Sequence, residues 1–178
     1  MKRVFGITNH FRVPDGTLVA PFLNSNDSES GLPFGLVGGF SIAAGILEPG
    51  TQSQIHVLPL VSQVTFVLRG SLKVVMQPAA GGPHYTQELK THQAVLTEPD
   101  TPLQLINGSN QACEVLYIAS PAFLFELSAG KVLYDDAVTL GSDWSELERP
   151  GWRQARRFPT PADRASSEQR LRSRSAST

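Results

Sequence analysis

Gly50-Thr-Gln-Ser-Gln-Ile-His56-Val-Leu58-Pro-Leu-Val-Ser-Gln63-Val-Thr65-Phe-Val67-Leu-Arg-Gly70 decides the fold. It holds two short apolar runs, 55–60 and 63–68, rich in β-branched residues and bounded by Gly and Pro. Such runs read as strands. Side chains in a strand alternate between its two faces. His56 and Leu58 therefore share one face, and Gln63, Thr65 and Val67 share another.

Outward from this stretch the same pattern repeats. Runs at 40–47, 71–76, 85–89, 94–97, 103–106 and 114–118 are separated by Gly, Pro, Asn and Asp. Upstream, 4–7 and 17–23 read as two further strands around Pro14-Asp15-Gly16, a turn signal. Residues 24–33 are polar and predict a surface loop. Downstream, 123–127 and 131–134 predict a strand pair around Ala129-Gly130, and 142–147 a short helix with Ser142 as its N-cap. Short strands at near-regular spacing predict an all-β sandwich or barrel.

A second stretch adds to the first: His92-Gln93-Ala-Val-Leu-Thr-Glu98-Pro99-Asp100-Thr-Pro102-Leu103-Gln104-Leu-Ile-Asn107. Together the two resemble the paired signatures of the cupin family. The first signature runs Gly, five residues, His-x-His, four residues, Glu, six residues, Gly, and its spacing is intact from Gly50 to Gly70. In the second, Pro99, Pro102 and Asn107 fall on family positions. Asp100 replaces a turn glycine, a substitution suited to Asp, which visits left-handed backbone more readily than most residues. The resemblance covers roughly residues 35 to 120 and implies a cupin-like jelly-roll β-barrel with a short C-terminal helical or irregular extension. It also implies a homodimer.

The family's metal site takes two His and a Glu from the first signature and a His from the second. Here those positions hold His56, Leu58, Gln63 and Leu103. Shifting the second stretch by one residue would put Gln104 in the last place, but Pro102 and Asn107 would then lose their match. A first-row metal wants about four N, O or S ligands, and two leucines supply none. The expectation is a protein with no metal and no cofactor. His56 and Gln63 are the candidate catalytic residues. Leu58, Thr65, Val67, Leu103 and Gln104 are the candidate ligand-binding residues. His56 is open to two readings, a leftover held by Gln63 or an acid/base group in a metal-free pocket; a pKa near neutral suits the second. His10, His84 and His92 read as surface residues, Cys113 as a small buried hydrophobe, and Asp135-Asp136 as a solvated turn or helix start.

At 178 residues the chain is long enough for one domain with a sizeable core. One cysteine excludes an internal disulfide and a thiolate metal cluster within the chain. The N-terminus has a basic start but no apolar run of the secretory type, and no stretch approaches the ~20 apolar residues of a membrane span. A cytoplasmic protein without membrane contact is expected. The net charge of −1 conceals an asymmetry: residues 149–178 hold eight Arg against two acids, while the rest is acidic. The chain thus divides into a barrel over 1–148 and a basic tail over 149–178. The tail nearly lacks aliphatic residues and is expected to be flexible. Without a nucleic-acid-binding motif beside it, it does not point to nucleic acid.

The functional expectation is a cupin-fold protein binding a small, largely apolar organic molecule in its barrel, with metal-independent isomerase, cyclase or lyase chemistry through His56 if it is an enzyme. The alternatives are a metal-dependent oxygenase with nonstandard ligands and a non-catalytic binding or regulatory cupin.

Overall fold

The computed structural model describes residues 4–7, 9–26 and 32–175. In chain order its strands are β1 (Phe11–Arg12), β2 (Leu18–Leu23), β3 (Ser41–Leu47), β4 (Ile55–Val57), β5 (Ser62–Arg69), β6 (Ser71–Met76) and β7 (Tyr85–Lys90). Then follow β8 (Ala94–Thr97), β9 (Leu103–Ile106), β10 (Cys113–Ser120), β11 (Phe125–Ser128), β12 (Lys131–Asp135) and β13 (Val138–Gly141). They form an antiparallel sheet ordered β1-β2-β3-β10-β5-β8, a second ordered β13-β4-β9-β6-β7, and the hairpin β11-β12. This is the all-β jelly roll expected from the strand spacing.

Period-two alternation builds the core. Along β5, Gln63, Thr65 and Val67 are buried while Val64 and Phe66 are half-exposed. Along β10, Cys113, Val115, Tyr117 and Ala119 point inward. They meet Leu58, Leu72, Val74, Leu103 and Leu105 from the facing sheet in one apolar cluster. Gly70 turns β5 into β6 at φ 90°. A Cβ there would sit 3.1 Å from the Ala112 carbonyl, so both the left-handed backbone and the close approach call for glycine.

Asn107 acts as a pin. Its fully buried amide donates to the carbonyls of Leu47 (3.0 Å), Glu48 (3.2 Å) and Gln111 (2.7 Å), and its oxygen accepts from Ser109. Asp100, at the turn-glycine position, and His92 adopt left-handed φ values of 65° and 67°.

The second sheet's outer face is covered by the chain itself. Ile55 and Val57 pack there with Leu140 and Leu147 under Trp144, Trp152 and Phe158.

Several expectations change. Residues 4–7 form no strand. Within the polar segment 24–33, Asn24–Asn26 are buried, with both Asn amides donating at 2.9 Å to the Phe123 and Ala122 carbonyls, while Leu32 is half-buried and Pro33 exposed; 27–31 lie outside the described residues. The short helix is a 3₁₀ turn over Trp144–Glu146, capped by Asp143 rather than Ser142.

The flexible tail is the largest correction. Residues Pro161–Ser175 form helix α1, whose buried residues are Arg164 and Ser167; 176–178 lie outside the described residues. Its docking is ionic rather than apolar. Arg164 pairs with Asp136 and donates to the Ala122 carbonyl at 2.7 Å. Ser167, Arg170 and Arg174 converge on Glu126, whose side chain is fully buried. Composition shows the lack of aliphatics but cannot show that two buried carboxylates await these arginines. Asp136 is accordingly no solvated turn residue. Among the described residues, no helix is long and apolar enough to cross a membrane.

Candidate functional site

His56 lies on β4 opposite Leu103 of β9, and both face the interior. Its ring is buried, with Nδ1 3.1 Å from the Gln54 carbonyl and 3.4 Å from Asp15 Oδ2. Both neighbours are acceptors, so Nδ1 carries a hydrogen, and in the neutral ring Nε2 would hold the lone pair. The carboxylate is held in turn: Asp15 Oδ1 accepts from the Thr17 amide at 2.9 Å and the Thr17 hydroxyl at 2.8 Å.

On the facing sheet Gln63, Thr65 and Val67 point inward, with Gln63 Nε2 donating to Thr65 Oγ1 at 3.3 Å. Gln63 is bonded within its own strand, so the reading in which it holds His56 has no support. Thr65 is the cross-strand partner of Tyr117. The Tyr117 ring lies against Gly45, where a Cβ would come within 2.4 Å of it. Burial, with the Asp15 and Cys113 charges adding, raises the pKa of its hydroxyl; Thr17 offsets a part. That hydroxyl stays protonated; it lies within reach of the Thr17 hydroxyl but makes no hydrogen bond of ordinary geometry.

Leu58, Val67 and Leu103 are within 3% of full burial and belong to the central apolar cluster. Gln104 departs from expectation. Alternation along β9 turns it to the opposite face, where its amide donates to the Ser53 carbonyl and its oxygen accepts from Trp144 Nε1, each at 2.9 Å. It anchors the extension and does not line the interior.

Solved structures show what this arrangement is similar to. A cysteine peptidase from Thevetia peruviana latex, peruvianin-I, superposes with a TM-score of 0.53 at 14% identity, over 62% of this chain and 65% of that one. CENP-C of Drosophila melanogaster bound to CAL1 gives 0.51 at 12%, over 62% and 75%. Oxalate decarboxylase gives 0.54 at 14%, over 72% of this chain and 29% of that chain. The matched CENP-C region is described as a cupin domain.

The fold is that of the cupins.

The sequence matches no family model and no curated protein, so the likeness is one of architecture. The cupin metal position can be tested on its donor set. Leu58 and Leu103 cannot ligate, Gln63 is a neutral amide bonded to Thr65, and among the described residues no group of three His, Cys, Asp or Glu could hold a metal. The residues do not fit the family's metal.

Two groups at this end of the cupin barrel escaped the sequence reading. Asp15 read only as a turn residue, and nothing in the chain ties it to His56, 41 positions away. Tyr117 did carry a signal, the inward alternation of Cys113, Val115 and Ala119 around it. Asp135 lies close enough to Asp15 to feel its charge. Burial raises its pKa to about 7, the Ala137 amide pulls it down, and Asp136 and Asp15 push it up.

The remaining candidates fall outside this cluster. Cys113 is fully buried, and burial pushes its thiol up to about 11, which makes it a poor nucleophile. His84 stacks on Trp144 at the surface, 3.6 Å from Glu148. A groove of about 550 Å³ lies outside the barrel between residues 77–83 and 147–154. It is wide open, and the nearby Arg153 is already committed to Asp100 at 2.6 Å.

Proposed function

We propose that this cupin binds a small, largely apolar organic molecule at the His56 end of its barrel and that His56 moves a proton on it without a metal. The reaction classes that fit are isomerisation, cyclisation and lyase chemistry. One observation carries the reading: a buried, inward imidazole is backed by the Asp15 carboxylate, which also lies close enough to the buried Tyr117 hydroxyl to help raise its pKa. Asp15 fixes the tautomer so that Nε2 is free to accept a proton. Tyr117 offers a hydrogen bond where charge develops. Leu58, Val67 and Leu103 would give a bound molecule apolar contacts, and Gln63 with Thr65 polar ones.

Mass spectrometry of solvent-extracted, purified protein tests this. A co-purifying small molecule is expected, and it should then serve as substrate. His56→Ala should retain binding and lose turnover. Full turnover in His56→Ala would place the chemistry elsewhere. Binding without turnover in the native protein would leave a non-catalytic binding cupin.

We further propose that two copies pair through the outer face of the six-stranded sheet. The row Ile42, Ile118, Val64, Leu96 crosses four strands, and Leu116 and Phe66 form the next. Leu96 is 59% exposed. Six strands about 4.8 Å apart, the longest about 26 Å, outline roughly 600 Å², near the ~800 Å² per partner of a standard interface. Sedimentation should show a dimer that Leu96→Glu with Ile118→Glu converts to a monomer. A native monomer at high concentration would reject the pairing.

A further inference from the structure

Helix α1 and the β11–β12 hairpin are joined by charge. Among the described residues, no part of α1 belongs to either apolar cluster. A 15-residue helix without apolar packing is marginal in water. The hairpin pairs with neither large sheet, and a lone two-stranded hairpin is marginal as well. Glu126 turns towards α1, while Phe125, Leu127 and Val132 turn the other way and stay exposed. Each element therefore depends on the other.

Arg164 ties the two ends of the hairpin together. It donates to the Ala122 carbonyl at 2.7 Å, ahead of β11, and pairs with Asp136, just after β12. Asp136 in turn accepts from the Leu124 amide at 2.7 Å and the Tyr134 hydroxyl at 2.8 Å. Further along the same face of α1, Ser167, Arg170 and Arg174 reach Glu126 at 2.8, 2.7 and 3.2 Å. Both carboxylates are buried. Loss of one arginine leaves a buried charge unpaired, which is strongly disfavoured. Parting the whole network at once lets every charge hydrate, so opening is favoured as a unit rather than contact by contact.

Strand register locates this unit. β10 belongs to the first sheet and ends at Ser120, opposite Ser62 at the start of β5. β13 belongs to the second sheet, with Val138 opposite Val57 at the end of β4. Residues 121–137 thus cross from one sheet to the other beside the β4–β5 connection. Next to that crossing, Thr139 is the partner of His56 and Ala119 the partner of Gln63. Asp135, at the end of β12, feels the charge of Asp15, which backs His56.

We propose that α1 and the β11–β12 hairpin form a strap that closes the His56 end of the barrel and opens as one unit while both sheets stay folded. Closure of this kind is independent of whether the barrel interior takes a ligand.

Native-state hydrogen exchange in rising, sub-denaturing guanidinium tests the unit on the native protein. Amides of β11, β12 and α1 should converge on one opening free energy and one denaturant slope, both below those of β5 and β10. Modification of His56 by diethyl pyrocarbonate tests what the strap covers, with exposed His84 and His92 as references in the same sample. The His56 rate relative to theirs should give the opening constant of the strap amides. Arg164→Met should raise that rate about 100-fold or more, the loss of a buried ion pair. Arg172→Ala, at an exposed arginine, should leave it unchanged. Hairpin amides that exchange with β5 and β10 would overturn the strap, because α1 would then be a flap on a rigid barrel. Unequal opening free energies for helix and hairpin would overturn it too. A His56 rate that follows β10 instead of the strap would overturn closure at that end. The exchange and modification rates of the native chain decide each point even if Arg164→Met fails to fold.

Discussion

His56 Nδ1 stands 3.4 Å from Asp15 Oδ2, a contact between a barrel strand and the turn that precedes β2. The same carboxylate accepts two hydrogen bonds from Thr17, and the Asp15 carbonyl accepts from the Gln54 amide at 2.6 Å. The turn and the imidazole thus order each other.

Asp15→Ala should cost about 1–3 kcal/mol of stability through the lost Thr17 and His56 contacts. Nitrogen NMR of His56 should show hydrogen on Nδ1 in the native protein and a mixture of tautomers in the variant. An unchanged single tautomer would assign the orientation to Gln54 alone.

Arg164→Met should destabilise by about 3–5 kcal/mol, because it leaves the Asp136 carboxylate buried without its partner. Arg172 is exposed, over the Phe34 ring at 5.7 Å, and Arg172→Ala should stay within about 0.5 kcal/mol. Denaturant unfolding checks both. Similar small effects would mean that α1 is docked too loosely to matter.

Asp135→Asn should alter the pH dependence of stability. The Asp135 pKa is raised to about 7, above the usual aspartate value near 3.9. Between those values the native state binds the extra proton, so this group's contribution falls as pH rises. Asparagine can still accept from the Ala137 amide, as Asp135 Oδ1 does at 2.8 Å. The variant should melt higher than the native protein near about pH 8 and match it near about pH 4. A constant difference across that window would mean that Asp135 does not titrate there.

The triple change Leu58→His, Gln63→Glu and Leu103→His should create affinity for Zn²⁺, because all four positions face one interior. Replacing two core leucines will lower stability by several kcal/mol, roughly as other core changes do, and missing outer contacts will keep affinity modest. Calorimetry with Zn²⁺ decides it. A folded variant blind to metal would show that the barrel no longer keeps the cupin ligand geometry.

The sequence by itself determined most of the barrel strands and most of the residues that face inward. Those properties are local: alternation in β5 and β10, glycine at Gly70, and left-handed backbone at Asp100 can each be read from a few neighbouring residues. It also showed the loss of metal ligands, since Leu58 and Leu103 are chemically unable to serve. It misplaced Gln104 on the site, although the alternation that turned Leu103 inward also turned Gln104 outward to Trp144. Only the tertiary structure decided that Asp15 backs His56 and that the arginine-rich tail is a docked helix. Each depends on groups 28 or more positions apart meeting in space, as Asp136 and Arg164 do. Buried charges are tolerated only when such partners arrive, and no local pattern in the chain records their arrival.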